Sequence, residues 1–267
     1  MDIEWEIGSV SDAGKKRGDS PNQDVIKILP PEESRGKPLL LIVADGMGGY
    51  KGGEIASQLV VKTICDSYTQ SDSVEDYSLL LGDCVVAAHK AVQDFGKSNP
   101  ELASMGSTVV VVALDGENIW LANVGDSRAY LINGEKIELV SYDHSVVADY
   151  VRSGLLNALE ALHHPNRNKL TQSINVKRAS IKPFLAKKAF SKDDIVLLCT
   201  DGLWGVVSDS VIQAVALEYS SQPAAEKLVS LTYTSRAPDN VSVVIAKQLV
   251  KSEIGKAVEN DETDPGL

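Results

Sequence analysis

Leu40 to Gly49 reads LLIVADGMGG, and Val196 to Gly205 reads VLLCTDGLWG. In both, an apolar run of strand length ends on Asp-Gly. Continuous apolar runs of this kind predict strands buried on both faces. An Asp-Gly pair after such a run more often marks a hairpin turn. Asp115-Gly116 reads that way, because strand residues resume at once. At Asp45 and Asp201 they do not. Gly48, Gly49, Gly52 and Gly53 and then a helix follow the first, while the second leads through Trp204 into a helix starting near Ser208. A glycine after an aspartate lets the backbone turn sharply and brings its carbonyl close to whatever the carboxylate binds. Carboxylate and carbonyl oxygens suit hard cations such as Mg²⁺ or Mn²⁺.

Outward from these segments, apolar residues recur at helical spacing from Glu54 to Tyr68 and from about Ser78 to Lys97. Strands are predicted over Thr108–Leu114, Ile119–Val124 and Arg128–Ile132, with Asn133-Gly134 marking a second hairpin. Val146 to Arg178 reads as part helix and part loop. Helices are predicted over Asp209–Tyr219 and Pro223–Ser235, and a last strand over Val241–Leu249. Strand runs and helix runs are segregated and no Pro- or Ser-rich linker divides them, which predicts one α+β domain over residues 1–250. The stretch 251–267, with Glu259, Asp261, Glu262 and Asp264, reads as an acidic disordered tail.

Apolar residues make up 43% of the chain and charged residues 24%, enough for a sizeable core and too little charge for wholesale disorder. The formal charge of −11 argues against nucleic acid or an anionic membrane as partner, since both would be repelled. Cys65, Cys84 and Cys199 lack metal-ligand spacing and read as reduced core thiols. The N-terminus lacks the basic start and apolar block of a signal peptide, and no apolar run is long enough to span a bilayer. A cytoplasmic location is expected.

Further aspartates fall at similar places. Asp24 closes Asn22-Gln23-Asp24 ahead of Val25-Ile26, Asp126 follows the strand ending at Val124, and Asp239 precedes the last strand. Singly, each is more often a cap or turn residue. Together with Asp45 and Asp201 they carry a resemblance. Ser11-Asp12-Ala13-Gly14-Lys15-Lys16-Arg17, Val43-Ala44-Asp45-Gly46-Met47-Gly48-Gly49, Gly106-Ser107-Thr108, Val124-Gly125-Asp126-Ser127-Arg128, Asp143-His144-Ser145, Cys199-Thr200-Asp201-Gly202-Leu203 and Pro238-Asp239-Asn240-Val241-Ser242 stand in one order along the chain. From about Glu6 to Lys247 the sequence resembles the PP2C-like metal-dependent protein phosphatases, especially their bacterial branch.

The resemblance implies an antiparallel β-sandwich with helices on both outer faces and a two-metal site at one end. By position, Asp45 would bridge two Mg²⁺ or Mn²⁺ ions and the Gly46 carbonyl would bind one. Asp201 and Asp239 would hold the other, and Asp24 would act mainly through metal-bound water. Asp126 with Asp201 would match the bacterial branch's third metal site, and Arg17 its phosphate-binding arginine. The implied reaction is hydrolysis of phosphoserine and phosphothreonine by a metal-activated water. The implied partners are phosphoproteins, from a serine/threonine kinase or its targets, met by a monomer.

The sequence departs from the pattern in two places. The stretch Gly18-Asp19-Ser20-Pro21 makes the Arg17 to Asn22 spacing longer than usual, and Met47 and Tyr50 stand where relatives often carry histidine. No histidine is assigned as general acid; His144, His163 and His164 are read as surface or flap-stabilising residues, and a metal-bound water is the default proton source. Two other readings compete. An inactive phosphoprotein-binding relative would have lost metal aspartates, whereas all of them are here. A two-metal hydrolase of small phosphate esters would show a deep closed pocket, and a protein phosphatase an open groove.

Overall fold

Leu40, Ile42 and Ala44 pack to one side of their strand and Leu39, Leu41 and Val43 to the other, and all are buried. The continuous apolar run is therefore period-two packing with both faces covered. In the computed structural model, which describes residues 3–14, 21–48, 52–234 and 239–249, this run is part of β3 (Leu39–Met47) in a seven-stranded antiparallel sheet. Its path runs β10 (Phe184–Ala189), β6 (Asn118–Val124), β5 (Val109–Leu114), β3, β4 (Gly106–Ser107) and β9 (Ile174–Asn175), and β2 (Asp24–Leu29) pairs with the other edge of β3. A five-stranded sheet stacks against it in the order β1 (Trp5–Asp12), β12 (Val241–Gln248), β11 (Ile195–Cys199), β7 (Arg128–Ile132) and β8 (Ile137–Leu139).

Three apolar clusters separate four layers. Leu41, Val43, Val110, Val112, Val196 and Leu198 belong to the cluster between the sheets. The opposite face of the larger sheet packs on α1 (Gly52–Gln70) and α2 (Tyr77–Ser98). The opposite face of the smaller sheet packs on α5 (Asp201–Trp204), α6 (Asp209–Glu218) and α7 (Ser221–Thr234). The short helices α3 (Val146–Arg152) and α4 (Ala158–His163) stand apart. This is the expected sandwich with helices on both outer faces. No helix among the described residues is long and apolar enough to cross a membrane. Arg17 and the tail 251–267 lie outside the described residues.

One expectation is corrected. β3 does not end on Asp45-Gly46 but runs to Met47. Its β2 edge is paired as far as Asp45, opposite Asp24, and pairing with β4 carries the other edge on to Met47, opposite Gly106. By contrast β11 does end, at Cys199, and Asp201 opens α5.

Candidate active site

Antiparallel register gathers the aspartates. The end of β3 lies beside the start of β2, and Val109 at the start of β5 pairs with Val124 at the end of β6. In the smaller sheet, Cys199 at the end of β11 pairs with Val243 near the start of β12. Asp24, Asp45, Asp126, Asp201 and Asp239 thus belong to strand ends on one rim of the sandwich.

Asp24 joins the two sheets there. Its Oδ2 accepts hydrogen bonds from the Thr200 hydroxyl (2.9 Å) and the Ser242 hydroxyl (2.8 Å), both on the other sheet's side. Its Oδ1 is buried and has no hydrogen-bond partner among the described residues. Close backbone packing holds the neighbouring loops. A Cβ on Gly46 would fall 2.2 Å from the Gly53 carbonyl oxygen, and one on Gly202 would fall 2.0 Å from the Asn240 carbonyl oxygen. Only glycine allows those approaches, which bring the Asp45 strand to α1 and the Asp201 turn to the Asp239-Asn240 turn.

Thr108 ties Asp45 to the Asp126 segment. Its N–H donates to the Asp45 carbonyl (2.8 Å), while the Asp45 N–H donates to the Thr108 hydroxyl (3.2 Å) in place of a strand carbonyl. The same hydroxyl shares a buried 2.6 Å hydrogen bond with the Ser127 hydroxyl. Trp204 Nε1 donates to the Asp126 carbonyl (3.0 Å), and the Trp204 ring lies 3.7 Å under the Arg128 guanidinium. Arg128 in turn donates to both oxygens of Asp143 and to the Tyr130 hydroxyl. The stack and these charge-assisted hydrogen bonds fix the segment that carries Asp126.

The carboxylates are in one another's field. Burial raises the Asp24 pKa to about 7, and Asp201 and Asp239 add to the rise against the lowering effect of the Ser242 and Thr200 hydrogen bonds. Burial also pushes Asp45 well above the usual carboxylate range, helped by Asp24, Asp201, Asp126 and Asp239. Asp126 is raised likewise, by burial first and then by Asp201 and Asp143. Burial and mutual repulsion both oppose ionisation of Asp24, Asp45 and Asp126, and added positive charge would offset both.

That charge fits a divalent cation. The donors are all oxygens, one of them a buried carboxylate oxygen with no other partner, and Asp24 faces Asp45 directly across β2 and β3. Among the described residues, no group of three His, Cys, Asp or Glu is drawn tightly enough to cage an ion by itself. A site that also relies on water and a backbone carbonyl has that character.

The histidines take the supporting places expected of them. His144 is buried, its Nδ1 accepts from the Gly125 N–H (3.3 Å), and burial lowers its pKa. The His164 ring meets Tyr150 edge-on at 5.7 Å, and His163 is exposed. The supporting roles of Thr108, Thr200, Ser242 and Trp204 were not anticipated. All four stand inside or beside the quoted motifs, yet only the three-dimensional register shows what their side chains touch.

The rim opens on a groove of about 530 Å³ lined by Asp126, Asp201 and Asp239 on the body of the protein and by residues of α3 and α4 across from them. A helix-flanked antiparallel sandwich with clustered aspartates on one rim defines a class. The chain belongs to the protein phosphatase 2C family, whose profile matches residues 13–249. It is therefore a protein phosphatase of the Mg²⁺- or Mn²⁺-dependent kind.

Among bacterial relatives, it is 31% identical over 245 residues to protein phosphatase PhpP of Streptococcus pneumoniae, covering 90% of this chain and 96% of that one. It is 27% identical over 221 residues to the serine/threonine phosphatase Stp of Listeria innocua, covering 81% and 87%. Its fold matches the crystal structure of serine/threonine phosphatase Stp1 from Staphylococcus aureus with a TM-score of 0.84 at 30% identity, over 91% of this chain and 95% of that one. It also matches the catalytic domain of the phosphatase PstP in complex with two manganese ions, with a TM-score of 0.80 at 27% identity, over 93% and 100%.

Proposed function

We propose that the chain hydrolyses phosphoserine and phosphothreonine in proteins, with Asp45, Asp201 and Asp239 and the Gly46 carbonyl holding two Mg²⁺ or Mn²⁺ ions. The observation that carries this reading is the strand register that brings Asp24, Asp45, Asp126, Asp201 and Asp239 to one rim, where Asp24 keeps a buried carboxylate oxygen without a hydrogen-bond partner among the described residues. Asp126, beside Asp201 in the groove, is the candidate ligand for a third ion. When bound, the ions supply an activated water near neutral pH and positive charge against the phosphate.

The chain's own residues do the rest. Thr200 and Ser242 orient Asp24 by donating to one oxygen, so the other is left to accept from water at the site. The Thr108 and Trp204 hydrogen bonds hold Asp45 and the Asp126 segment at fixed positions before substrate arrives. Arg17 is the proposed phosphate clamp, its guanidinium able to donate to two phosphate oxygens at once. We further read residues 1–250 as one catalytic domain and the protein as a cytoplasmic monomer opposing a serine/threonine kinase. One chain supplies both walls of the groove, and Cys65, Cys84 and Cys199 are free thiols, as a reducing compartment favours.

An open groove favours protein substrates over small phosphate esters. With Mn²⁺ present, kcat/KM for a phosphothreonine peptide should exceed that for a nucleoside monophosphate by at least about tenfold, since only the peptide covers the groove. A reversed preference would move the reading to small esters.

The raised carboxyls also predict a pH signature. Asp24 has a folded pKa of about 7 against an ordinary 3.8, so between those values the native state keeps a proton that the unfolded chain has lost. Without metal, this carboxyl therefore contributes stability at low pH that is lost as pH rises through the folded pKa. Metal binds the ionised carboxylates, so its stabilisation grows through the same window. At a hundredfold excess over Kd, Mn²⁺ adds about 2.7 kcal/mol, or roughly 5–10 °C in Tm for a domain of this size. Differential scanning fluorimetry should show that gain near pH 8 and a much smaller one near pH 5. Equal gains at both would mean that these carboxyls do not hold the metal.

A further inference from the structure

The helices α3 and α4 are not formed by core packing. Ser145 caps the first, its hydroxyl accepting from the Ala148 N–H, and a capping box of Asn157 and Glu160 closes the second. Backbone hydrogen bonds from Val146 to Lys169 (2.9 Å) and from Thr171 to His144 (2.8 Å) hold the ends of the whole segment. Yet α4 has no buried residue, and α3 has only Val147.

A surface helix ordinarily turns its apolar stripe into the core. Here Val151, Ala158, Ala161 and Leu162 line the groove instead, with Leu139 and Val206 lining it from the body of the protein. Leu162 and Leu139 are 41% and 39% exposed. The same cavity is lined by Asp126, Asp201 and Asp239, so this apolar surface is continuous with the reaction site. Arg152 and Arg167 also line it, Arg152 held there by Asp149 and by the face of the Tyr142 ring.

We propose that the groove takes the stretch of phosphoprotein chain flanking the phosphorylated residue and selects an aliphatic side chain there, of the size of leucine or methionine, on the surface shared by Leu139, Val151, Leu162 and Val206. This rests on the phosphatase reading above and adds a sequence preference to it. An apolar side chain near the phosphoresidue covers surface that is otherwise exposed to water. A phosphate ester without a flanking chain leaves this surface uncovered.

The test walks a single leucine through an alanine-based phosphothreonine peptide with Mn²⁺ present. It measures kcat/KM for each peptide, and anisotropy of the labelled peptides for binding alone. p-Nitrophenyl phosphate, which has no flanking peptide chain to lay along the apolar surface, is the reference substrate. One or two adjacent leucine positions should raise kcat/KM about tenfold over alanine, a partial burial of three added carbons. Leu162→Glu and Ala161→Trp should erase that gain and the matching anisotropy difference while p-nitrophenyl phosphate turnover stays within about twofold. Since α4 has no buried residue, both variants should keep the wild-type Tm. A flat leucine profile in the wild type, or a preference that survives in both variants, overturns the proposal. Failure to hydrolyse any of the substrates would instead sink the phosphatase reading, with the anisotropy profile still deciding whether the groove selects leucine.

Discussion

Asp45→Asn should lower kcat on a phosphothreonine peptide by on the order of 10²–10³-fold or more, the loss expected when one preorganised electrostatic contact is removed. The substitution is nearly isosteric, so far-UV circular dichroism should stay native. Asp45 sits near the end of β3, with Asp24 across from it on β2 and Thr108 bonded to its backbone on the other side. Those contacts are made by the backbone and survive the change. What is lost is the charge that the fields of Asp24, Asp201, Asp126 and Asp239 all reach. Removing it should relieve repulsion, so the metal-free variant should melt at or above the wild type in EDTA. A drop in kcat with a lower metal-free Tm would point to structural damage instead.

The second large effect is metal removal. Dialysis against EDTA should abolish phosphate release, and millimolar Mn²⁺ or Mg²⁺ should restore it. Both ions accept hard oxygen ligands, which the aspartates of the rim offer. His144 is turned to Gly125, and the Cys199 thiol at the end of β11 is buried in the core of the smaller sheet. No described side chain on the rim is placed to replace the ions as activator of water. Full turnover in EDTA would end the two-metal account.

What was legible in the sequence follows from burial. The central strands β3, β5, β11 and β12 are apolar on both faces, so their runs stand out without any knowledge of the fold. The edge strands do not. β10 carries Lys187 and Lys188 and is exposed over its last three residues, which suits an edge and hides it as a strand. β1 alternates only weakly, and β2 is short and half-buried. Helix limits were read to within about two residues, the ordinary scatter of helix ends.

The aspartates were legible because Asp45, Asp126 and Asp201 each sit next to a glycine that the backbone needs. The strand extension past Asp45 was not, since it depends on pairing with β4, distant in sequence. Nor was the hydroxyl pair that orients Asp24, because Thr200 and Ser242 come from the other sheet. Contacts between sheets have no local signature. Motifs named the candidate ligands; register supplied their supports.

Isothermal titration of metal-free protein with Mn²⁺ tests the central claim most directly, because it reads the carboxylate cluster without any substrate. Wild type should bind at least two Mn²⁺ per chain near pH 8, and Asp45→Asn, with its bridging charge gone, should bind fewer ions and at least about tenfold more weakly. Equal stoichiometry and affinity in the two proteins would contradict the assignment of this rim as the metal centre.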